Sequence, residues 1–110
     1  MRKMPLSLRK ELQRDPFYQK CCITGYSNKF VKIDFHHNFI FAGRQVNEKW
    51  CILPLGSLVH IHIVQFKEQC DWIMLNRADE ETLKKYSKAV NLIRERDRLN
   101  KKYGKYEVHS

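Results

Sequence analysis

Residues 32–62 read KIDFHHNFIFAGRQVNEKWCILPLGSLVHIH and contain four of the five histidines of this chain. Two of these, His36 and His37, are adjacent, and the other two, His60 and His62, are separated by one residue. Histidine titrates near neutral pH and is a common metal ligand. The first question about this sequence is therefore whether the imidazoles form a catalytic metal site or a chance cluster.

The residues before and within this stretch predict a short helix and two strands. Residues 6–14 (LSLRKELQR) have a weak helical pattern, which Asp15 and Pro16 should end, because the residue before a proline is steered away from helical angles. The runs CCIT (21–24) and FVKIDFHH (30–37) have strand character and flank the turn-like GYSNK (25–29). An irregular loop, FAGRQVNEK (41–49) around Gly43, then leads to the apolar run WCILPLG (50–56).

Two helices are predicted after the apolar run. Ser57 is a suitable N-cap for the first helix, which should end near NRAD at 76–79. The second should start near Glu80 and end near Gly104, with an apolar stripe on one face; the stripe comprises Leu83, Tyr86, Val90 and Ile93. Five aromatic side chains are expected in the core, namely Phe35, Phe39, Trp50, Phe66 and Trp72.

This order predicts an α+β fold, a ββα unit with helical additions in one domain over residues 1–110. The ββα core should span about residues 20–66, the helical extension about 67–104, and a frayed tail 105–110. No linker, repeat or low-complexity block divides the chain.

The composition favours a polyanionic partner. Lys and Arg total 21 against 12 Asp and Glu, a formal net charge of +9, and such a balance attracts nucleic acid. No apolar run approaches the ~20 residues needed to span a bilayer, and the amino terminus lacks the apolar segment of a secretory signal. We therefore expect a cytoplasmic protein whose cysteines remain thiols; these are Cys21, Cys22, Cys51 and Cys70.

The positions of the histidines suggest a chemistry. His36 and His37 would point to opposite faces of a strand, so that one can face a metal ion while the other flanks the substrate. His60 can supply a second imidazole, and a metal ion held by few protein ligands keeps positions open for water and phosphate oxygens. A neutral histidine beside it can take a proton from water. The opposing interpretation is that each is a structural or surface histidine.

Three features of the central segment occur together: a CCITG turn at 21–25, the HH pair at the end of a strand, and the apolar ILPL run at 52–55 that leads to His60. In this combination, over roughly residues 20–66, the chain resembles the HNH endonucleases of the His-Me finger (ββα-metal) superfamily, and in particular small phage-encoded HNH proteins. The resemblance implies a ββα-metal core with a short N-terminal helix and a C-terminal helical extension. It also implies a metal-dependent DNA endonuclease or nickase in a bacterial or phage-infected host cell.

The resemblance assigns roles to individual residues. His37 corresponds to the general base, and His36 and His60 correspond to ligands of one divalent metal ion, usually Mg²⁺, with Mn²⁺ or others sometimes accepted. In the family this ion binds the scissile phosphate and offsets the charge of the transition state. Water activated by His37 would attack in line and leave 5′-phosphate and 3′-hydroxyl ends.

The sequence departs from the family pattern at three places. Cys51 stands where the family has the asparagine that holds the base imidazole, and either Asn47 or a backbone carbonyl would replace that asparagine. The two CxxC pairs of a structural zinc site are absent from the sequence, so structural zinc is not expected. Val64 occupies the position of a last metal ligand. His62 diverges from His60 on a helix, which makes it a bystander, and it could serve as a ligand only if the helix starts late and the segment is still extended.

The loop after the histidine pair carries the candidate DNA contacts Arg44, Gln45 and Lys49. For each of them a solvated loop side chain is the competing interpretation. Asp34 alternates with His36 along the strand, and it either orients that histidine or is an exposed charge.

Two functions of other classes stay open. Cys51 leaves room for a catalytically silent DNA-binding module on the same scaffold. A zinc-stabilised interaction domain would use Cys21, Cys22 and the histidines. The nuclease is preferred because a binding module needs cations and donors rather than imidazoles, which are mostly neutral at pH 7. The expected partner is DNA, without a membrane, and both a monomer and a homodimer are compatible with the sequence.

Overall fold

The computed structural model describes residues 4–104, and this part of the chain contains five α-helices and four β-strands. The mixture of helix and strand confirms the α+β class. The predicted frayed tail at 105–110 lies outside the described residues. In chain order the elements are α1 (Leu6–Arg14), β1 (Ile33–His37), β2 (Ile40–Phe41), β3 (Arg44–Gln45), β4 (Ile52–Gly56), α2 (Ser57–Ile61), α3 (Ile63–Leu75), α4 (Glu80–Tyr86) and α5 (Leu92–Tyr103).

The first helix forms as predicted. Leu12 of α1 is fully buried, and the chain leaves the helix at Asp15, whose extended backbone precedes Pro16. The Asp15 side chain then caps a 3₁₀ turn by accepting a hydrogen bond from the Phe17 N–H at 2.9 Å. The proline therefore ends one helical segment and begins the next.

The strand that carries the two histidines pairs with the apolar run that follows it. β1 and β4 are antiparallel, with His37 opposite Ile52, and β4 is buried along its whole length. The strand predicted at 21–24 was wrong. Those residues form a turn that closes when the Gly25 N–H donates to the Cys21 carbonyl at 2.8 Å, with Gly25 at a φ of 81°. Since α2 follows β4 directly, the central order is strand, strand, helix.

Residues 38–51 (the hairpin segment) leave the sheet between β1 and β4 and contain a small hairpin of their own. In this hairpin β2 pairs with β3, and Phe41 lies opposite Arg44. The two residues of the turn both have positive φ, 52° at Ala42 and 76° at Gly43, as a two-residue hairpin of the favoured twist requires. Of the segment predicted as an irregular loop at 41–49, residues 41–45 thus belong to a hairpin, whereas residues 46–48 are irregular.

The helix predicted after β4 is interrupted at His62. This residue leaves helical geometry (φ −102°, ψ 32°) between α2 and α3, and α3 ends close to the predicted position. Ser57 is the first helical residue and not the cap, a position that Gly56 occupies. The Ser57 hydroxyl lies 3.4 Å from the Lys32 carbonyl, so it contacts the segment before β1 instead of capping α2.

The last predicted helix consists of two, α4 and α5. Ser87 separates them: its hydroxyl donates to the Leu83 carbonyl at 2.7 Å and accepts from the Leu92 N–H at 2.9 Å. A serine that bonds both helix ends in this way competes with continuous helical hydrogen bonding. Val90, predicted to continue the apolar stripe, lies in the connection and is 55% exposed.

The start and end of α5 follow recognisable signals. Asn91 caps the helix by accepting from the Arg94 N–H at 3.0 Å, and the helix ends at Gly104 as predicted. α5 is joined to α3 through the Trp72 indole N–H, which donates to the Asn100 side-chain oxygen at 2.9 Å.

The core lies between the central sheet and the helices around it. Of the aromatic side chains expected there, Trp50 and Trp72 are buried, while Phe35, Phe39 and Phe66 are partly buried against the same cluster. The four cysteines lie within it as buried free thiols. Across residues 4–104 the helices are all too short or too polar to cross a membrane.

Candidate functional site

The strand–strand–helix arrangement brings His60 of α2 beside His36 of β1. The centroids of the two rings are 5.1 Å apart, and the planes meet at 64°. The structure therefore places together the two histidines to which the sequence analysis assigned metal binding. This contact depends on the pairing of β1 with β4, because that pairing sets where α2 begins relative to β1.

Asp34 fixes the orientation of His60. Its Oδ2 lies 3.1 Å from Nδ1 of His60. An ionised carboxylate only accepts hydrogen bonds, so Nδ1 carries the proton and the neutral ring keeps its lone pair on Nε2. Asp34 and His36 alternate along β1 and share a face of the strand, but the carboxylate bonds His60 and not His36, the partner that the sequence suggested.

His37 lies on the opposite face of β1 and contacts Asn47 of the hairpin segment. The distance from His37 Nε2 to Asn47 Oδ1 is 2.7 Å. With the amide oxygen towards the ring, Nε2 is the protonated nitrogen and Nδ1 is the basic one. The structure thus brings together the residues assigned to the general base and to the amide that holds it.

His36 is a half-buried histidine between His60 and Asn38. Burial lowers the pKa of His36 below its usual range, and the neighbouring His60 lowers it further, while the hydrogen bond to Asn38 acts in the opposite direction. That bond joins His36 Nε2 to Asn38 Oδ1 at 3.2 Å. A lowered pKa keeps the imidazole neutral at pH 7, the form in which it can bind a metal ion.

His36 and His60, whose ring centroids are 5.1 Å apart, are the paired imidazoles that could hold a divalent metal ion. Within residues 4–104, no group of three or more histidine, cysteine, aspartate or glutamate side chains is arranged to hold a metal ion. Two imidazoles leave most coordination positions to water and to the oxygens of a phosphate. Nitrogen donors also suit transition-metal ions such as Zn²⁺ and Ni²⁺ better than they suit Mg²⁺.

The three predicted DNA contacts differ in their surroundings. Arg44 is exposed on β3, whereas Gln45 is half-buried and its Oε1 has no hydrogen-bond partner within the described chain. The Lys49 ammonium lies 2.6 Å from an Asp15 oxygen and 3.5 Å from a Glu11 oxygen. These carboxylates already neutralise Lys49 and raise its pKa, Asp15 more than Glu11. Arg44 is therefore the most available of the three for a phosphate.

The backbone of Cys51 forms a hydrogen bond at the base of the hairpin segment. The Cys51 carbonyl accepts the Asn38 N–H at 2.8 Å, and the thiol is fully buried. Burial raises the pKa of Cys51, so the thiol stays protonated. His62 and Val64 are both exposed. The imidazole that contacts the His36 ring is that of His60.

Sequence reasoning missed two residues beside the site, Asn38 and Asp71. Asn38 is only 6% exposed, and its amide nitrogen lies 2.9 Å from an Asp71 oxygen. A polar residue directly after the histidine pair was a usable signal for Asn38. No sequence pattern links it to Asp71 of α3, which follows 33 positions later.

No protein-family model matches the chain, and the searches of curated proteins and of solved structures find no match either. The chemistry of the site must therefore be inferred from its own side chains.

Proposed function

We propose that this protein is a metal-dependent DNA endonuclease of the HNH type, with a ββα-metal core formed by β1, β4 and α2. The observation that carries the proposal is that two of the three histidines contact each other while the third contacts Asn47. The ring centroids of His36 and His60 lie 5.1 Å apart, while the adjacent His37 is held separately by Asn47 at 2.7 Å. Paired imidazoles beside an independently oriented imidazole suit metal binding and proton transfer, respectively.

Each residue has a distinct task in the proposed reaction. His36 and His60 would hold the divalent metal ion, which supplies Lewis-acid stabilisation of the charge on the scissile phosphate. His37, through Nδ1, takes the proton from the attacking water, and Asn47 keeps the ring in the required orientation. Arg44 positions the DNA backbone. The net charge of +9 draws the polyanion to the protein before any specific contact forms.

Relaxation of supercoiled plasmid by the purified protein tests this function. The assay compares Mg²⁺, Mn²⁺, Ni²⁺ and Zn²⁺ with EDTA, because the nitrogen donors favour transition-metal ions and the family resemblance favours Mg²⁺. The expected result is nicking that requires a divalent metal ion and gives 5′-phosphate and 3′-hydroxyl ends.

The first variant to test is His37→Ala. Loss of a general base should lower the nicking rate by about 10²–10⁴-fold and leave DNA binding unchanged, as measured by fluorescence anisotropy. His62→Ala is the matched control, since it removes an exposed histidine two residues from His60. Full activity in His37→Ala would remove His37 as the base. Absence of nicking with every metal ion, together with salt-sensitive DNA binding, would favour a catalytically silent DNA-binding module.

A further inference from the structure

We propose that Asn38, oriented by Asp71, fixes His36 with its proton on Nε2, so that Nδ1 is the nitrogen offered to a metal ion. This inference rests on the proposed function, because it assigns a positioning role at the same site. It identifies which atom of His36 binds and which residues decide that choice.

Asn38 is held firmly at the base of the hairpin segment. Asn38 is polar and yet buried, with only 6% of its surface exposed. Its backbone N–H donates to the Cys51 carbonyl at 2.8 Å. A buried amide must satisfy its donors and acceptors within the protein. The partners of Asn38 therefore determine its orientation.

Asp71 removes the ambiguity between the two ends of the Asn38 amide. An ionised carboxylate accepts hydrogen bonds and donates none, so the amide NH₂ must be the group that faces Asp71 Oδ1 at 2.9 Å. The Met74 sulfur, another acceptor, lies 3.5 Å from the same nitrogen. Lys67 forms an ion pair with the same Asp71 oxygen.

The orientation of Asn38 then determines the tautomer of His36. With the NH₂ towards α3, the amide oxygen faces His36 Nε2 at 3.2 Å. This oxygen can only accept, so Nε2 must donate, and the lone pair of the neutral ring lies on Nδ1. Acceptors that fix the tautomer of a metal-binding histidine in this way also raise its affinity for the metal ion.

The two neighbouring imidazoles are therefore set to opposite tautomers. Asp34 places the proton of His60 on Nδ1, whereas the chain from Asp71 through Asn38 places the proton of His36 on Nε2. One ring would bind through Nε2 and the other through Nδ1. Because the two orienting carboxylates come from β1 and α3, the metal-binding geometry depends on α3 as well as on the strand–strand–helix unit.

The deciding measurement is the tautomer of His36 in the metal-free protein, read from long-range ¹H–¹⁵N correlations of the imidazole rings at pH 8, where neutral rings predominate. The expected spectrum shows Nε2–H for His36 and Nδ1–H for His60. An Nδ1–H tautomer at His36 would overturn the inference even if the protein cleaves DNA. The expected tautomer in a protein that does not cleave would support the inference and contradict the proposed function.

Asn38→Leu tests the role of the amide. The variant keeps a side chain of similar size but provides no acceptor, so His36 should become a mixture of tautomers. Its affinity for Mn²⁺ or Ni²⁺, measured by calorimetry, should fall about 10-fold or more. Asn28→Ala, which removes an exposed asparagine bonded to Gln19, should change neither. An unchanged tautomer and unchanged metal affinity in Asn38→Leu would contradict the assignment. If that variant does not fold, the spectrum of the unaltered protein still decides.

Discussion

A hydrogen bond of 2.7 Å joins His37 of β1 to Asn47 of the hairpin segment. The bond matters because a general base works only when its lone pair points at the attacking water. We expect Asn47→Ala to lower the nicking rate about 100-fold, as small displacements of a catalytic group do, and to leave DNA affinity unchanged. Quantitative plasmid nicking beside anisotropy measures both. A rate equal to that of the unaltered protein would show that another group orients His37.

Asp15 provides a prediction about pH at the scale of one residue. The hydrogen bond from Lys49 lowers the pKa of Asp15 below its ordinary 3.8, helped by the hydrogen bond from the Phe17 N–H. A carboxyl whose pKa is lowered by folding stabilises the protein above its unfolded pKa, and that contribution is lost as the pH falls through the folded pKa. Asp15→Asn should therefore lower the free energy of unfolding at pH 7 by about 1 kcal/mol or less.

Urea unfolding followed by tryptophan fluorescence measures this difference at pH 7 and at about pH 2.5, where it should be smaller. The substitution keeps an oxygen that can cap the Phe17 N–H, so loss of the cap is not the cause of the effect. A difference as large at the lower pH as at pH 7 would mean that Asp15 acts through something other than its charge.

At the residue scale, the sequence predicted the functional groups better than their partners. The placement of His36 and His37 on opposite faces follows from the two-residue period of a strand. The contact between His36 and His60 was implied by the family resemblance, and spacing alone does not bring them together. Asn38 and Asp71 could not be paired from the sequence, because their contact depends on how α3 packs beside β1.

The hairpin of β2 and β3 gives a prediction at the scale of an element. Its turn places Ala42 at a φ of 52°, where the Cβ of an L-residue costs roughly 1–2 kcal/mol. Asparagine tolerates this conformation, and Asn-Gly is the preferred pair for such a turn. We expect Ala42→Asn to stabilise the protein by about 0.5–1 kcal/mol, as measured by urea unfolding.

The neighbouring turn residue supplies the opposite test. Gly43→Ala should destabilise the protein by about 1 kcal/mol, because Gly43 has a φ of 76° while a Cβ there would meet no atom within 4 Å. The effect would thus come from the backbone and not from a steric clash. Equal stability of both variants and the unaltered protein would argue against a left-handed turn.

The two wrong predictions of secondary structure have separate physical causes. CCIT is a short apolar run, which cannot be told from a buried turn by periodicity alone, and Gly25 at its end allows the turn. The apolar stripe from Leu83 to Ile93 suggested one helix, but Ser87 bonds both helix ends and Asn91 caps the second. Capping residues inside an apolar pattern were the signal for two helices.

At the scale of the whole molecule, the basic side chains differ in how freely they can contact a phosphate. The basic side chains of α5 are largely engaged with carboxylates: Arg96 pairs with Asp97 and Glu80, and Arg98 with Glu95 and Glu68. Paired side chains release fewer counterions on binding a phosphate than unengaged ones. Net charge alone therefore overstates the part that α5 can take in binding DNA.

This difference predicts how two matched arginine variants behave. Arg44→Ala should weaken DNA binding and reduce the slope of log K against log salt by about 1, because Arg44 is exposed on β3. Arg98→Ala should have a smaller effect on both quantities. Anisotropy titrations between low and moderate salt measure the slopes. A larger effect of Arg98 than of Arg44 would move the DNA-binding surface from the hairpin to α5.

The hairpin segment also has a consequence for how such a scaffold can be altered. Asn38 and Asn47 lie near the base of residues 38–51 and contact the histidines, whereas Ala42 and Gly43 are exposed at the tip, and a Cβ added at Gly43 would meet no atom within 4 Å. Surface turns of this kind accept inserted sequence at little thermodynamic cost. A peptide or small domain grafted at the tip would leave the hydrogen bonds of Asn38 and Asn47 to the histidines in place, so under the proposed function this turn is the position at which new target preference can be built.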